Sequence, residues 1–102
     1  MEYIRWYWPD EEVWCYDELD EARWAARHVE VRDGTVVAAA SLAEVVAARD
    51  AGGGDAVIAY EGRYGVVPEA PFPEVVEEGE PAFEVISSAE FERLWAIGRR
   101  EG

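Results

Sequence analysis

The sequence predicts an α+β domain: an antiparallel sheet of about four to six strands, with one internal helix and a C-terminal helix packed on it. Three observations carry this expectation. The chain opens on an aromatic run of strand-forming residues, Glu2-Tyr3-Ile4-Arg5-Trp6-Tyr7-Trp8, whose alternate positions fall on two faces. Asp33-Gly34 stands between two β-rich runs, the dipeptide that two-residue hairpin turns favour because both positions adopt positive φ. Ser41-Leu42-Ala43-Glu44 and Ser87-Ser88-Ala89-Glu90 fit the capping box, and each opens a segment with apolar residues at helical spacing.

Taken in order, residues 2–8 form a first strand, broken by Pro9-Asp10-Glu11-Glu12. Val13-Trp14-Cys15-Tyr16 is a short second strand that ends in the acidic run Asp17-Glu18-Leu19-Asp20-Glu21. Residues 23–32 form a third strand, and Thr35-Val36-Val37-Ala38 returns as a fourth. Ser41 caps a helix bearing Leu42, Val45, Val46 and Arg49 at helical spacing, which Gly52-Gly53-Gly54 ends. Ala56-Val57-Ile58-Ala59-Tyr60 reads as a fifth strand, extended over residues 63–67 by a hairpin around Gly62 or Gly65. Residues 68–82 carry Pro68, Pro71, Pro73 and Pro81 among glutamates, an extended, partly polyproline-like acidic loop within the domain. The terminal helix sets Phe91, Leu94 and Trp95 on one side, and Gly98 weakens its end.

The 102 residues suit one domain. With 50% hydrophobic and 13% aromatic residues the chain is too apolar for a disordered acidic tail. A net charge of −14, from 23 acids against 9 bases, repels nucleic acids and anionic membrane surfaces and attracts cations or basic proteins. All the bases are arginine, and Lys, Asn and Gln are absent. Schiff-base chemistry and a phosphate-binding P-loop at the glycine run are thereby excluded. A lone cysteine, no secretory leader pattern and no apolar run of spanning length lead to the expectation of a cytoplasmic protein.

Four stretches resemble a family of small, uncharacterised domains common in actinobacteria. They are Tyr3-Ile4-Arg5-Trp6; Tyr16-Asp17-Glu18-Leu19-Asp20, close to a Tyr-Ser-Glu-Leu-Asp signature; Arg27-His28-Val29-Glu30 with Asp33-Gly34; and Pro71-Phe72-Pro73 through Phe83-Glu84 and Ile86-Ser87 to Glu90-Phe91-Glu92-Arg93-Leu94-Trp95. The stretch from Ser41 to Gly54 departs from that pattern. The resemblance implies a compact α+β domain and supplies no activity. Its acidic character is similar to that of bacterial immunity and antitoxin-type proteins, an analogy of character alone.

Several chemistries can be weighed residue by residue. Cys15 and His28 lie on neighbouring strands and could pair as nucleophile and base, but no Asn exists to orient the imidazole and no helix N-terminus is expected near the thiol. Asp10-Glu11-Glu12 and Asp17-Glu18-Asp20-Glu21 offer oxygen ligands for a hard cation without EF-hand spacing, so a solvated acidic turn is the expectation and no metal or other cofactor is assigned. Paired carboxylates for glycoside hydrolysis would need a sugar cleft that a chain of this size has little room for.

The aromatic strands are the most informative feature. Ile4, Trp6 and Trp8 share one face, and Tyr3, Arg5 and Tyr7 the other, so both faces need cover: a second helix or the Pro-rich loop, or else a partner. The function expected is a non-catalytic acidic binding domain, immunity- or antitoxin-like, that neutralises a basic protein. Tyr7, Trp8, Trp14, Tyr16 and Trp24 would anchor that partner, and Asp10, Glu11, Glu12, Asp17, Glu18, Asp20 and Glu21 would steer it. The alternatives are a module that forms a homodimer through the aromatic strands and a small enzyme using Cys15 and His28.

Overall fold

The computed structural model of the chain describes residues 1–72 and 82–100. Four strands, β1 (Glu2–Trp8), β2 (Val13–Leu19), β3 (Ala25–Arg32) and β4 (Thr35–Ser41), are followed by helix α1 (Leu42–Tyr64), a short strand β5 (Glu84–Val85) and helix α2 (Ser88–Arg99). The sheet order is β4-β3-β2-β1-β5, and every pairing is antiparallel. The α+β architecture follows as the sequence predicts.

Strand alternation divides the side chains between two layers. Tyr3, Arg5 and Tyr7 of β1 stand opposite Glu18, Tyr16 and Trp14 of β2, which in turn face Arg27, Val29 and Val31 of β3. This face is covered by α2, whose Phe91 and Leu94 pack on Tyr16, Val29 and Ala39. On the other face Ile4, Asp17, His28 and Ala40 lie in one row across the four strands, and Trp6, Cys15, Glu30 and Ala38 in the next. Val45, Val57, Tyr60 and Tyr64 of α1, with Val67 and Phe72 from the chain that leaves it, pack against Ile4, Leu19, Ala25 and Ala40. The two apolar faces expected from the aromatic run are therefore both covered by the chain itself.

Three readings are corrected. The second strand does not stop at Tyr16. It runs on to Leu19, and Asp17 and Glu18 are buried strand residues rather than an acidic turn. The third strand starts at Ala25 rather than residue 23, because Arg23 sits at φ 67° in the preceding turn. The segment 56–64 is helical, not a strand and hairpin. Gly53 (φ 68°, ψ −155°) breaks α1 into two arms but does not end it, since Val57, Tyr60 and Tyr64 bring one apolar stripe onto the sheet in helical spacing. The helix stops instead at Gly65, at φ 107°. Of the expected acidic, Pro-rich loop, residues 66–72 carry no helix or strand, and 73–81 lie outside the described residues.

Both helices begin as the capping sequences predict: Ser41 Oγ accepts from the Glu44 N–H at 3.4 Å and Ser87 Oγ from the Glu90 N–H at 3.1 Å. Glu44 does not reach back to its cap, however. Its carboxylate accepts from Tyr60 Oη at 2.5 Å and from Arg99, whose Nε also donates to the Ala39 carbonyl at 2.8 Å. This cluster ties α1, α2 and β4 together, with the Arg99 guanidinium 4.0 Å from the Tyr64 ring centroid and 4.5 Å from that of Trp95.

Gly98 has a different role from the weak helix end the sequence implies. A Cβ there would meet Ala39 Cβ and Val36 Cγ1, each at 2.8 Å, so the glycine is what lets α2 lie against β4. Gly98→Ala therefore loses stability in a denaturant melt, although helix propensity alone predicts a gain of about 1 kcal/mol. A stabilised variant would show that the close approach is not what holds the glycine in place.

Candidate functional site

The sheet face under α1 holds an open cleft of about 750 Å³. Trp6 and Trp8 of β1, Val66, Pro68, Ala70, Pro71 and Phe72 of the chain after α1, and Phe83 before β5 form its walls; Cys15, His28 and Glu30 form its floor. The aromatic walls are coupled. The Trp6 centroid lies 6.1 Å from that of Trp8 and 6.3 Å from Phe72, and Phe72 meets Phe83 edge-on at 5.6 Å.

The floor is organised by β2 and β3. Asp17 and His28 are register partners, and the His28 Nδ1 lies 2.6 Å from Asp17 Oδ1. The other ring nitrogen lies 2.9 Å from Glu30 Oε2, two residues along the same strand face. Trp6 Nε1 donates to the second Asp17 oxygen at 3.0 Å. Burial alone would push the imidazolium towards its neutral form, but the attraction of Asp17 and the hydrogen bonds to Asp17 and Glu30 prevail and hold His28 at about 9. The same contact with His28 draws the Glu30 carboxyl below its ordinary range. Cys15 is pushed up to about 12, first by burial and then by the charges of Glu30 and Asp17.

Cys15, His28 and an acid thus line one pocket, as the enzyme alternative requires. The chemistry is not that of an activated pair. Both imidazole nitrogens are held by carboxylates, and the thiol is protonated at neutral pH. Among the described residues no group of three or more His, Cys, Asp or Glu is placed to hold a metal ion.

The residues expected to bind a partner fall in separate places. Tyr7 and Trp14 lie on the α2 side with rings 5.3 Å apart, while Trp8 points to the opposite face and lines the cleft. Trp24, just before β3, lies at the far end of the sheet from Trp8, because β3 begins opposite Leu19 and β1 ends opposite Val13. Tyr16 is buried beneath α2. Glu18 is buried on that side too, bonded by Arg27 through Nε and Nη2 at 2.8 Å each and by Tyr3 Oη at 2.9 Å. Asp17 and Glu18 are thus buried and paired within the chain, and neither is placed to touch a partner. Asp20 is used locally, its Oδ1 accepting from the Ala22 and Trp24 N–H groups. Asp10, Glu11, Glu12 and Glu21 are exposed. Sequence reasoning had not assigned Trp6, Glu30, Phe72 and Phe83 to a site; the alternation that puts Trp6 and Trp8 on one face with Cys15, His28 and Glu30 was the signal for the first two.

No protein-family model, curated protein or solved structure matches the chain. No helix among the described residues is long and apolar enough to cross a membrane.

Two outcomes follow from the floor. His28 is the one histidine of the chain, so its ring resonance reports the site directly, and it titrates near pH 9. Because this lies above the unfolded value of about 6.5, the folded state holds the extra proton between the two. The associated stability, of the order of 3 kcal/mol, is complete below pH 6.5 and is lost as pH rises through 9. A ring titrating near 6.5 would contradict the clasped arrangement. Cys15 resists a thiol reagent at neutral pH in the folded protein and reacts at the full rate once denaturant is added; rapid labelling of the native chain would contradict the buried thiol.

Proposed function

We propose that the chain is a non-catalytic acidic binding domain whose partner is a basic protein, and that it neutralises that partner in the manner of an immunity or antitoxin-type protein. The observation that carries this reading is at the β1–β2 end of the sheet. There Tyr7 and Trp8, each 39% exposed, lead straight into a turn whose Asp10, Glu11 and Glu12 are all exposed. Large amphipathic rings rimmed by carboxylates suit a protein interface, with rings as anchors and charges guiding the encounter. Arg32 lies 3.8 Å from Glu11 and offsets part of that charge, but the net −14 of the chain leaves the field strongly negative.

The engaged imidazole and the protonated thiol support the non-catalytic part of the reading. The packing of α1 and α2 on the two sheet faces favours this reading over the homodimer alternative, which rests on an uncovered face.

Affinity capture from the native host, followed by binding kinetics on the captured protein, tests the reading. The expected partner is basic, and its association rate falls steeply with added salt and in an Asp10→Asn, Glu12→Gln double variant. Tyr7→Ala mainly quickens dissociation. A partner whose binding responds to neither salt nor these substitutions would overturn the reading.

A further inference from the structure

The cleft on the other face poses a separate question of charge. Its walls are apolar, yet a carboxylate sits on its floor. Glu30 Oε2 is engaged by His28; Oε1 takes part in no hydrogen bond among the described residues, and the side chain is 23% exposed. Asp17 and Glu30 around one imidazolium leave the floor with one negative charge in excess. Among the described residues no arginine lines the cleft. The indole N–H of Trp6 is already given to Asp17.

These features discriminate between classes of occupant. An anion would meet the Glu30 carboxylate and find, among the described residues, no cationic side chain free to offset its charge, only the neutral indole N–H of Trp8 and the Cys15 thiol. A neutral apolar molecule would fill the walls but strip water from Glu30 without replacing it, which is unfavourable for a charged group. A cation on an apolar body satisfies both: its charge meets Glu30, and its body lies among Trp6, Trp8, Phe72 and Phe83, whose ring faces attract positive charge. The volume of about 750 Å³ falls in the range of small-molecule sites. The net charge of −14 concentrates such cations around the chain.

We propose that the cleft is a binding site for a small organic cation with an aromatic or branched apolar body, such as a substituted ammonium, held between the Trp6–Trp8 and Phe72–Phe83 walls over Glu30. The cleft lies on the opposite face from Tyr7 and Trp14 and shares only Trp8 with the proposed protein-binding end of the sheet; the inference does not depend on the basic-protein reading.

Trp6 and Trp8 supply the readout. Tryptophan fluorescence of the full chain is followed on titration with phenyltrimethylammonium, with its neutral isostere tert-butylbenzene and with benzoate. The expected result is saturable binding of the cation, about tenfold or more tighter than the neutral isostere, and none of benzoate. Glu30→Gln, which keeps the shape and an acceptor for His28, brings the cation down to the affinity of the isostere. Val66→Arg sets a positive charge on the exposed wall and also weakens the cation; circular dichroism confirms that both variants are folded. Equal binding of cation and isostere, an unchanged affinity in folded Glu30→Gln, or no saturable change with any probe overturns the proposal. Both variants leave Tyr7, Trp8 and the acidic turn intact, so failure of this proposal leaves the capture of a basic protein to be decided by its own test.

Discussion

Two adjacent carboxylates at the centre of the sheet, Asp17 and Glu18, set the terms for everything around them. Being consecutive on one strand they point to opposite faces, so each needs compensation in a different layer. β3 supplies both partners in register: His28 opposite Asp17 and Arg27 opposite Glu18. The Arg27 guanidinium then lies 5.0 Å from the ring centroids of Phe91 and Trp95, and so seats α2. His28 passes the chain of contacts on to Glu30 and with it to the floor of the cleft. A single strand pairing thus fixes the sheet register, the docking of one helix and the chemistry of the opposite face.

Much of the fold was legible because local and global preferences agree. β1 reads as a strand from its aromatic residues alone. Asp33 at φ 53° and Gly34 at φ 78° form the hairpin turn their identities favour. Both serine caps act as caps. The failures share a different cause. Asp17 and Glu18 read as a solvated turn because charge was equated with exposure, whereas antiparallel pairing set a histidine and an arginine directly against them. The glycine run and the β-branched segment after it read as a stop and a strand, yet the apolar stripe of Val57, Tyr60 and Tyr64 kept that segment helical.

The candidate sites divide along the same line. Tyr7, Trp8 and the turn at 10–12 could be read from composition, since exposed anchors and charges need no partners within the chain. The cleft could not. Its walls come from β1, from the segment after α1 and from Phe83, positions far apart in sequence that meet only through the crossover of α1 and the return of β5 along the free edge of β1. The Arg99–Glu44–Tyr60 cluster was hidden in the same way, because it joins Glu44, which reads as a capping-box partner, and Tyr60, which reads as a strand residue, to Arg99 of the terminal helix.

The close contact at Gly98 bears on how the chain survives its own synthesis. β4 is the outer strand on one side of the sheet, and its stretch Thr35 to Ala40 carries no charge, proline or glycine. Such a stretch, left bare, invites pairing with another chain. Gly65 closes over Ala38 and Gly98 over Ala39, so the finished protein grips this strand from both faces. Yet α2 is the last described element in chain order. A nascent chain therefore leaves the apolar faces of this strand bare from the moment β4 leaves the ribosome until α2 is made, while the net negative charge of the chain repels neighbouring copies of itself.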